Sequence, residues 1–91
     1  TYSAATWIEP NGNTFTYPNG FFLAAPLQTS DVAKRTIPTK WRIMLPEKYL
    51  DIQVEALNKY AWMDLSIPYW EGPVYVEGSH EGHGYLEMTG Y

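Results

Sequence analysis

Two carboxylates in this 91-residue chain are set among aromatic residues, where acid chemistry can be run. Asp64 follows Trp62 and Met63, and Glu71 follows Tyr69 and Trp70. Apolar surroundings disfavour the charged form of a carboxyl group, and a neutral acid can pass its proton to the carbon of an unactivated double bond. Asp64 and Glu71 are therefore the candidate catalytic acids. The commoner use of such a group is as a hydrogen-bonded or interface carboxylate. A second constellation is His80-Glu81-Gly82-His83. The zinc-protease motif needs its histidines at i and i+4 on a helix, with a third ligand elsewhere, whereas Gly82 and Gly84 speak for a loop. A hairpin tip between Val76 and Tyr85 is expected there, with no metal and no other cofactor. Ser79 beside these histidines does not make a hydrolase, since no G-x-S-x-G elbow exists and adjacency in sequence does not build a triad. Trp41, Trp62, Tyr69, Trp70, Tyr75 and Tyr85 each offer a large face with a polar handle. They suit the lining of a cavity for a flat apolar molecule, although core packing or an interface is the commoner use of any one of them.

The elements that must carry these residues read as strands. Leu50 to Leu57 alternates, with Leu50, Ile52, Val54 and Ala56 on one face and Asp51, Gln53 and Glu55 on the other. Its β-branched positions suit a pleated surface better than a helical stripe. Thr6 to Glu9 and Thr14 to Tyr17, joined through Asn11-Gly12, predict a hairpin with a type I′ turn, and Asn19-Gly20 a second turn. Phe21 to Ala25 and Trp41 to Leu45 read as short strands stopped by Pro26 and Pro46. Gln28 to Thr39 has no period and is expected to be the longest loop, with Lys34-Arg35 open to proteolysis. Tyr60 to Leu65, Tyr69 to Glu77 and Gly84 to Thr89 complete an all-β, antiparallel chain of about seven strands. Tyr69, Glu71 and Pro73 share one strand face and Trp70, Gly72 and Val74 the other, so Trp70 and Glu71 cannot both point into one interior without a bulge. Gly72, Gly78, Gly82, Gly84 and Gly90 mark bulges, bends or close backbone approaches. Strands this few and short fall below a closed eight-stranded barrel, and an open edge is expected, ready to pair with the rest of its own chain or a second β-domain.

Composition bounds the function classes. With 45% hydrophobic and 16% aromatic residues against 18% charged, the chain can bury a core. No apolar run approaches the ~18–20 residues of a membrane span. Six Lys and Arg against ten Asp and Glu argue against nucleic acid as a partner. Zero cysteines exclude disulfides, thiolate zinc sites and cysteine nucleophiles. Lys34, Arg35, Lys40, Arg42, Lys48 and Lys59 lie centrally, while Asp64, Glu71, Glu77, Glu81 and Glu87 leave the last third acidic, so the two segments can attract each other. The start at Thr1 and the end at Gly90-Tyr91 fit a processed product or an excised domain.

The most specific pattern runs from Pro68-Tyr69-Trp70-Glu71-Gly72-Pro73-Val74-Tyr75-Val76-Glu77-Gly78 to Gly82-His83-Gly84-Tyr85-Leu86-Glu87-Met88-Thr89-Gly90-Tyr91. It resembles the ending YWEG-v-v-x-G, short loop, G-x-GYLELTGY of a lipocalin-like family, with Met88 in place of the usual leucine. That family includes carotenoid 1,2-hydratase (hydroxyneurosporene synthase), the AttH-type proteins often labelled secreted hydrolases, and fungal lipocalin-like Diels–Alderases. Ala5-Thr6-Trp7-Ile8, Asn11-Gly12 and Pro38 to Pro46 with Trp41 are similar to the preceding strands, in order. Met63-Asp64-Leu65 stands where the family tends to have Gln-Glu-Leu. The resemblance implies a lipocalin-like β-barrel of which residues 1–91 form the C-terminal portion, within a larger protein of two tandem barrels. It also implies an apolar ligand of isoprenoid or polyene type and a secreted or periplasmic setting. Two activities follow from it: acid-promoted hydration, or cyclisation by shape, in which the pocket folds a reactive polyene into its near-attack conformer. It carries no catalytic acid onto Asp64 or Glu71. A role of another class, a structural domain docking a second domain or subunit through its open edge, stands beside these.

Overall fold

The computed structural model describes residues 4–18, 20–66 and 68–91. Its strands are β1 (Ala4–Ile8), β2 (Thr14–Pro18), β3 (Leu23–Val32), β4 (Arg35–Leu45), β5 (Leu50–Ala56), β6 (Trp62–Met63), β7 (Tyr69–Gly78) and β8 (Gly82–Thr89), with one 3-10 turn at Pro46–Lys48. All pairings are antiparallel, as the alternation predicts. β1 and β2 form a separate hairpin, and the other strands form one sheet in the order β3-β4-β5-β7. β5 and β6 share one side of β7, and β8 takes the other. No helix is long and apolar enough to cross a membrane.

The sheet curls over its apolar face. Val32 and Ile37, from the β3–β4 hairpin, meet Trp70 and Met88, from β7 and β8, in one buried cluster that Trp41, Ala56, Ala61, Trp62 and Leu86 flank. The curl is barrel-like and not closed: among the described residues β3 pairs only with β4, and β8 only with β7. Trp70 is fully buried, and its indole N–H donates to the Lys59 carbonyl at 2.9 Å. At the other end of the sheet, Lys48 ties down the β1–β2 hairpin, with its ammonium 3.4 Å from Glu9 Oε1 and 4.4 Å from the Phe15 ring centroid.

β5, β7 and β8 follow their sequence periods. Ile52, Val54 and Ala56 stand across from Gly78, Val76 and Val74 on the inner face. The β7–β8 ladder runs from Tyr69↔Thr89 to Val76↔Gly82 without a register shift. Trp70, Gly72 and Val74 are therefore buried inward, while Tyr69, Glu71 and Pro73 turn outward beside Tyr85 and Glu87. Gly72, Gly78 and Gly84 serve close approach rather than bulges, while a Cβ at Gly82 would meet nothing within 4 Å. At Gly78, φ is +122° and a Cβ would meet the Asp51 carbonyl oxygen at 2.6 Å.

Elsewhere the structure corrects the local expectations. The β1–β2 hairpin does not close through a type I′ turn at Asn11-Gly12. Its loop is Pro10-Asn11-Gly12, with Glu9 N–H donating to Asn13 O at 2.8 Å, Gly12 N–H to Glu9 O at 2.9 Å, and a positive φ at Gly12 (+90°). Proline at the first loop position fixes a negative φ there, which selects a type I turn followed by a left-handed glycine. Positive φ at two successive residues appears instead at Ala33 (+51°) and Lys34 (+63°), the two-residue link from β3 to β4. The segment expected as the longest loop, Gln28 to Thr39, is thus a hairpin, and β3 runs straight through Pro26. An edge strand tolerates proline because one of its sides needs no donor, and register shifts on either side of Gln28 absorb the misfit. Pro38 lies beyond the β5 pairing, which begins at Lys40. Tyr60 to Leu65 contracts to β6. Asn19, in the second expected turn, and Ile67, in the Ser66-Ile67-Pro68 link, lie outside the described residues. Among the described residues the ion pairs of the basic middle go not to the acidic last third but mainly to β5: Arg42 Nε and an Nη donate to Asp51 at 3.0 and 2.8 Å, and Lys40 lies 3.7 Å from Glu55, while Arg35 Nε donates to the Tyr91 carbonyl at 3.0 Å.

Candidate functional site

The inner face leaves an apolar cleft of about 390 Å³ between β3–β4 and β8. The two-residue strand period builds its walls: Trp41 and Ile43 come from β4, Leu86 and Met88 from β8, and Ala24, opposite Ile43, from β3. Glu87, Thr89 and Tyr91 border it along β8 and the chain end. The volume falls in the range of small-molecule sites, which are mostly apolar with a few polar groups. The cleft wall includes Trp41, whose indole Nε1, like that of Trp7 elsewhere, is buried with no hydrogen-bond acceptor among the described residues. Leaving a buried donor unpaired costs ~1–3 kcal/mol, so folded proteins rarely do it. A more polar hollow of about 330 Å³ near the end of β5 lacks this tension. There the Ser30 and Thr39 hydroxyls satisfy each other at 2.8 Å, and Lys40 faces Glu55.

Glu71 belongs to a different surface. On the outward face of β7 it accepts the Tyr85 hydroxyl at 3.0 Å and stands directly opposite Glu87. The negative charge of Glu71, with burial second, holds the Tyr69 phenol above the ordinary tyrosine range. For Tyr85 the hydrogen bond to Glu71 comes first, and burial and charge add to it in the same direction. This array stabilises neutral phenols around an acceptor carboxylate, which is hydrogen-bonding rather than proton-donating geometry. Asp64 is exposed just past β6.

The residues singled out in the sequence are therefore not brought to one place. Trp41 lines the cleft. Trp70 shares the inner face but is sealed in the core, and Trp62, across from it on β6, lies under the Arg35 guanidinium at 4.6 Å. Tyr69, Tyr75 and Tyr85 lie with Glu71 on the outer face, where Tyr75 meets His83 edge-on at 5.7 Å. His80 turns instead toward Trp7, its ring centroid 6.2 Å away, and its Nδ1 lies 2.9 Å from Ser79 Oγ. The Ser79 hydroxyl also accepts the Asp51 N–H at 2.8 Å, which pins the β7–β8 tip to β5. Among the described residues no three His, Asp or Glu side chains converge. Sequence reasoning missed Ala24, Ile43, Leu86 and Met88 as site residues. Alternation along β8 sets Leu86 and Met88 on the face opposite Tyr85, Glu87 and Thr89, but apolar side chains carry no signal that separates a cleft wall from a core.

No curated protein and no solved structure matches the chain significantly. The AttH-like family model does, over residues 1–91. With its lipocalin-like ending and its curled, unclosed antiparallel sheet, the chain belongs to the AttH-like family.

Proposed function

We propose that this chain binds an apolar small molecule, of isoprenoid or polyene type, in the cleft beside Trp41. The observation that carries the reading is the cleft itself: an apolar hollow on the inner face of a barrel-like sheet, walled by Ala24, Trp41, Ile43, Leu86 and Met88. A bound hydrocarbon chain supplies the contact atoms that Ala24, Ile43, Leu86 and Met88 lack on their open side. Neither Asp64 nor Glu71 borders this cleft, and Glu87, which does, is turned outward by its register with Glu71. That arrangement favours cyclisation by shape, or binding alone, over hydration by an acid of this chain. No cofactor is required for either. We read residues 1–91 as the C-terminal portion of a larger two-barrel protein related to carotenoid 1,2-hydratase and the lipocalin-like Diels–Alderases. Its remaining strands, or a second β-domain, would complete the wall between β3 and β8.

Tryptophan fluorescence titration with a retinoid or a linear polyene tests the site. Saturable quenching is expected in the natural chain, and Ala24→Trp, which fills the cleft from the edge strand, is expected to abolish it while the far-ultraviolet circular dichroism stays unchanged. Quenching that never saturates, or that survives Ala24→Trp in full, would overturn the reading.

A further inference from the structure

We infer that the polar hollow at the end of β5, about 330 Å³, is a site for a small phosphate-type oxyanion held by Lys40, Lys59 and Asn58. It shares no lining residue with the apolar cleft, so the inference stands independently of the ligand-binding reading. The hollow exists because two strands part. β4 pairs with β5 no further than Lys40↔Glu55, while it stays paired with β3 as far as Val32↔Arg35. Past Ala56 the chain turns toward β7, where the Leu57 N–H donates to the Pro73 carbonyl at 3.1 Å. Residues 57–61 are fixed by hydrogen bonds. Tyr60 N–H donates to Asn58 Oδ1 at 3.1 Å, Ala61 N–H to the Asn58 carbonyl at 3.3 Å, and the buried Trp70 indole to the Lys59 carbonyl at 2.9 Å. Walls already held in place lose little freedom when a ligand binds.

The groups on these walls are chiefly donors. Because Asn58 Oδ1 is committed to the Tyr60 N–H, the amide NH2 is what Asn58 has left to offer. Lys59 enters no ion pair among the described residues. Lys40 lies 3.7 Å from Glu55, beyond the ~2.7–3.2 Å of a hydrogen bond, so that carboxylate leaves its ammonium protons to spare. Ser30 and Thr39 spend one hydroxyl proton on each other and have the second to donate. Two ammonium groups thus face one carboxylate, a local surplus of positive charge in a chain of net charge −4. The hollow around Arg42 has the reverse balance, with one guanidinium among Asp51, Glu77 and Glu81. Donors that come from β3 and β4 on one side and from residues 57–61 on the other suit a tetrahedral oxyanion, whose oxygens point apart, and lysine binds phosphate as a point charge.

Nitrogen-15 NMR of the chain titrated with inorganic phosphate at constant ionic strength tests the site. The Asn58 side-chain amide and the Thr39 and Tyr60 backbone amides are expected to shift together along one saturable curve. Lys59→Gln and Lys40→Gln are each expected to weaken binding roughly tenfold. Glu55→Gln, which removes the carboxylate and keeps its shape, is expected to strengthen it. Lys59 and Glu55 are exposed, so those two variants decide the matter even where Lys40→Gln disturbs packing. Lys34→Gln, at the β3–β4 turn outside the hollow, removes the same charge and is expected to leave the affinity unchanged. Equal weakening by Lys34→Gln would mean attraction by net charge alone and would overturn the proposal. Shifts that never saturate, that spare Asn58, or that are indifferent to both Lys59→Gln and Glu55→Gln would equally overturn it.

Discussion

Replacing Trp70 by phenylalanine separates a core tryptophan from a ligand-binding one. Trp70 is fully buried, packs with Val32, Ile37 and Met88, and donates its indole N–H to the Lys59 carbonyl at 2.9 Å. Phenylalanine keeps a ring in the site but loses that hydrogen bond, worth ~1 kcal/mol net. It also leaves part of the indole volume empty, and a modest large-to-small change in a core costs a further ~1–2 kcal/mol. The expected loss is thus ~2–3 kcal/mol, a large share of the ~5–14 kcal/mol that stabilises a chain of this length. At ~4–8 °C per kcal/mol for a domain of this size, Tm should fall by roughly 10–20 °C. Urea unfolding followed by far-ultraviolet circular dichroism measures the loss, and a retinoid titration at low temperature measures binding in the same variant. Stability should fall while affinity holds. A stability change below ~0.5 kcal/mol, the scale of an ordinary surface substitution, would refute the packing argument.

Trp41→Phe should behave in the opposite way: removing an unpaired buried N–H relieves ~1–3 kcal/mol and offsets the lost ring contacts, so stability stays within ~1 kcal/mol while retinoid quenching weakens. Gly78→Ala should cost ~1–3 kcal/mol in urea unfolding, because φ is +122° and the new Cβ meets the Asp51 carbonyl oxygen at 2.6 Å; an unchanged midpoint would contradict that approach. The Tyr69 and Tyr85 phenols are raised in the folded chain, so the stability they contribute is full below their unfolded value of about 10 and is lost as pH rises past it. Glu71→Gln should bring phenolate absorbance to lower pH in a near-ultraviolet titration. Asp51 is lowered chiefly by its hydrogen bonds from Arg42, so its contribution is present above the ordinary carboxylate value and disappears as pH falls through the folded one. Arg42→Gln should flatten the acid limb of a plot of urea midpoint against pH.

The parts of the fold legible in the sequence are those where one strand face is buried and the other wet. Leu50 to Ala56 and Leu86 to Met88 announce both strand and direction by alternation alone, and the parity of Trp70 and Glu71 places them on opposite faces. The β3–β4 hairpin was illegible for a physical reason. Pro26 reads as a strand breaker, yet it lies on an edge strand, where one side needs no hydrogen-bond donor, a fact that only the sheet order supplies. Ala33-Lys34 carries none of the glycine or asparagine that marks a turn with positive φ; the pairing of Val32 with Arg35 imposes it. The site was legible only as residue types. Aromaticity suggested six ligand-binding residues, but the curl that brings β4 toward β8 is a long-range outcome of burying Ile37 against Trp70 and Met88. It admits Trp41 to the cleft, leaves the tyrosines of β7 and β8 outside, and recruits Ala24, which no chemistry would single out.

The chain has three methionines, and each reports a different surface. Met88 lines the inner cleft, Met44 lines a small apolar hollow beside Phe21 and Phe22, and Met63 is exposed on β6. A chain labelled with carbon-13 at the methionine methyl groups and titrated with a polyene therefore tests most directly whether the inner cleft is the binding site. The account predicts a saturable shift of the Met88 methyl resonance, with intermolecular nuclear Overhauser contacts to the polyene, while Met44 and Met63 stay in place. A saturable shift at Met44 or Met63 with Met88 unmoved would contradict it.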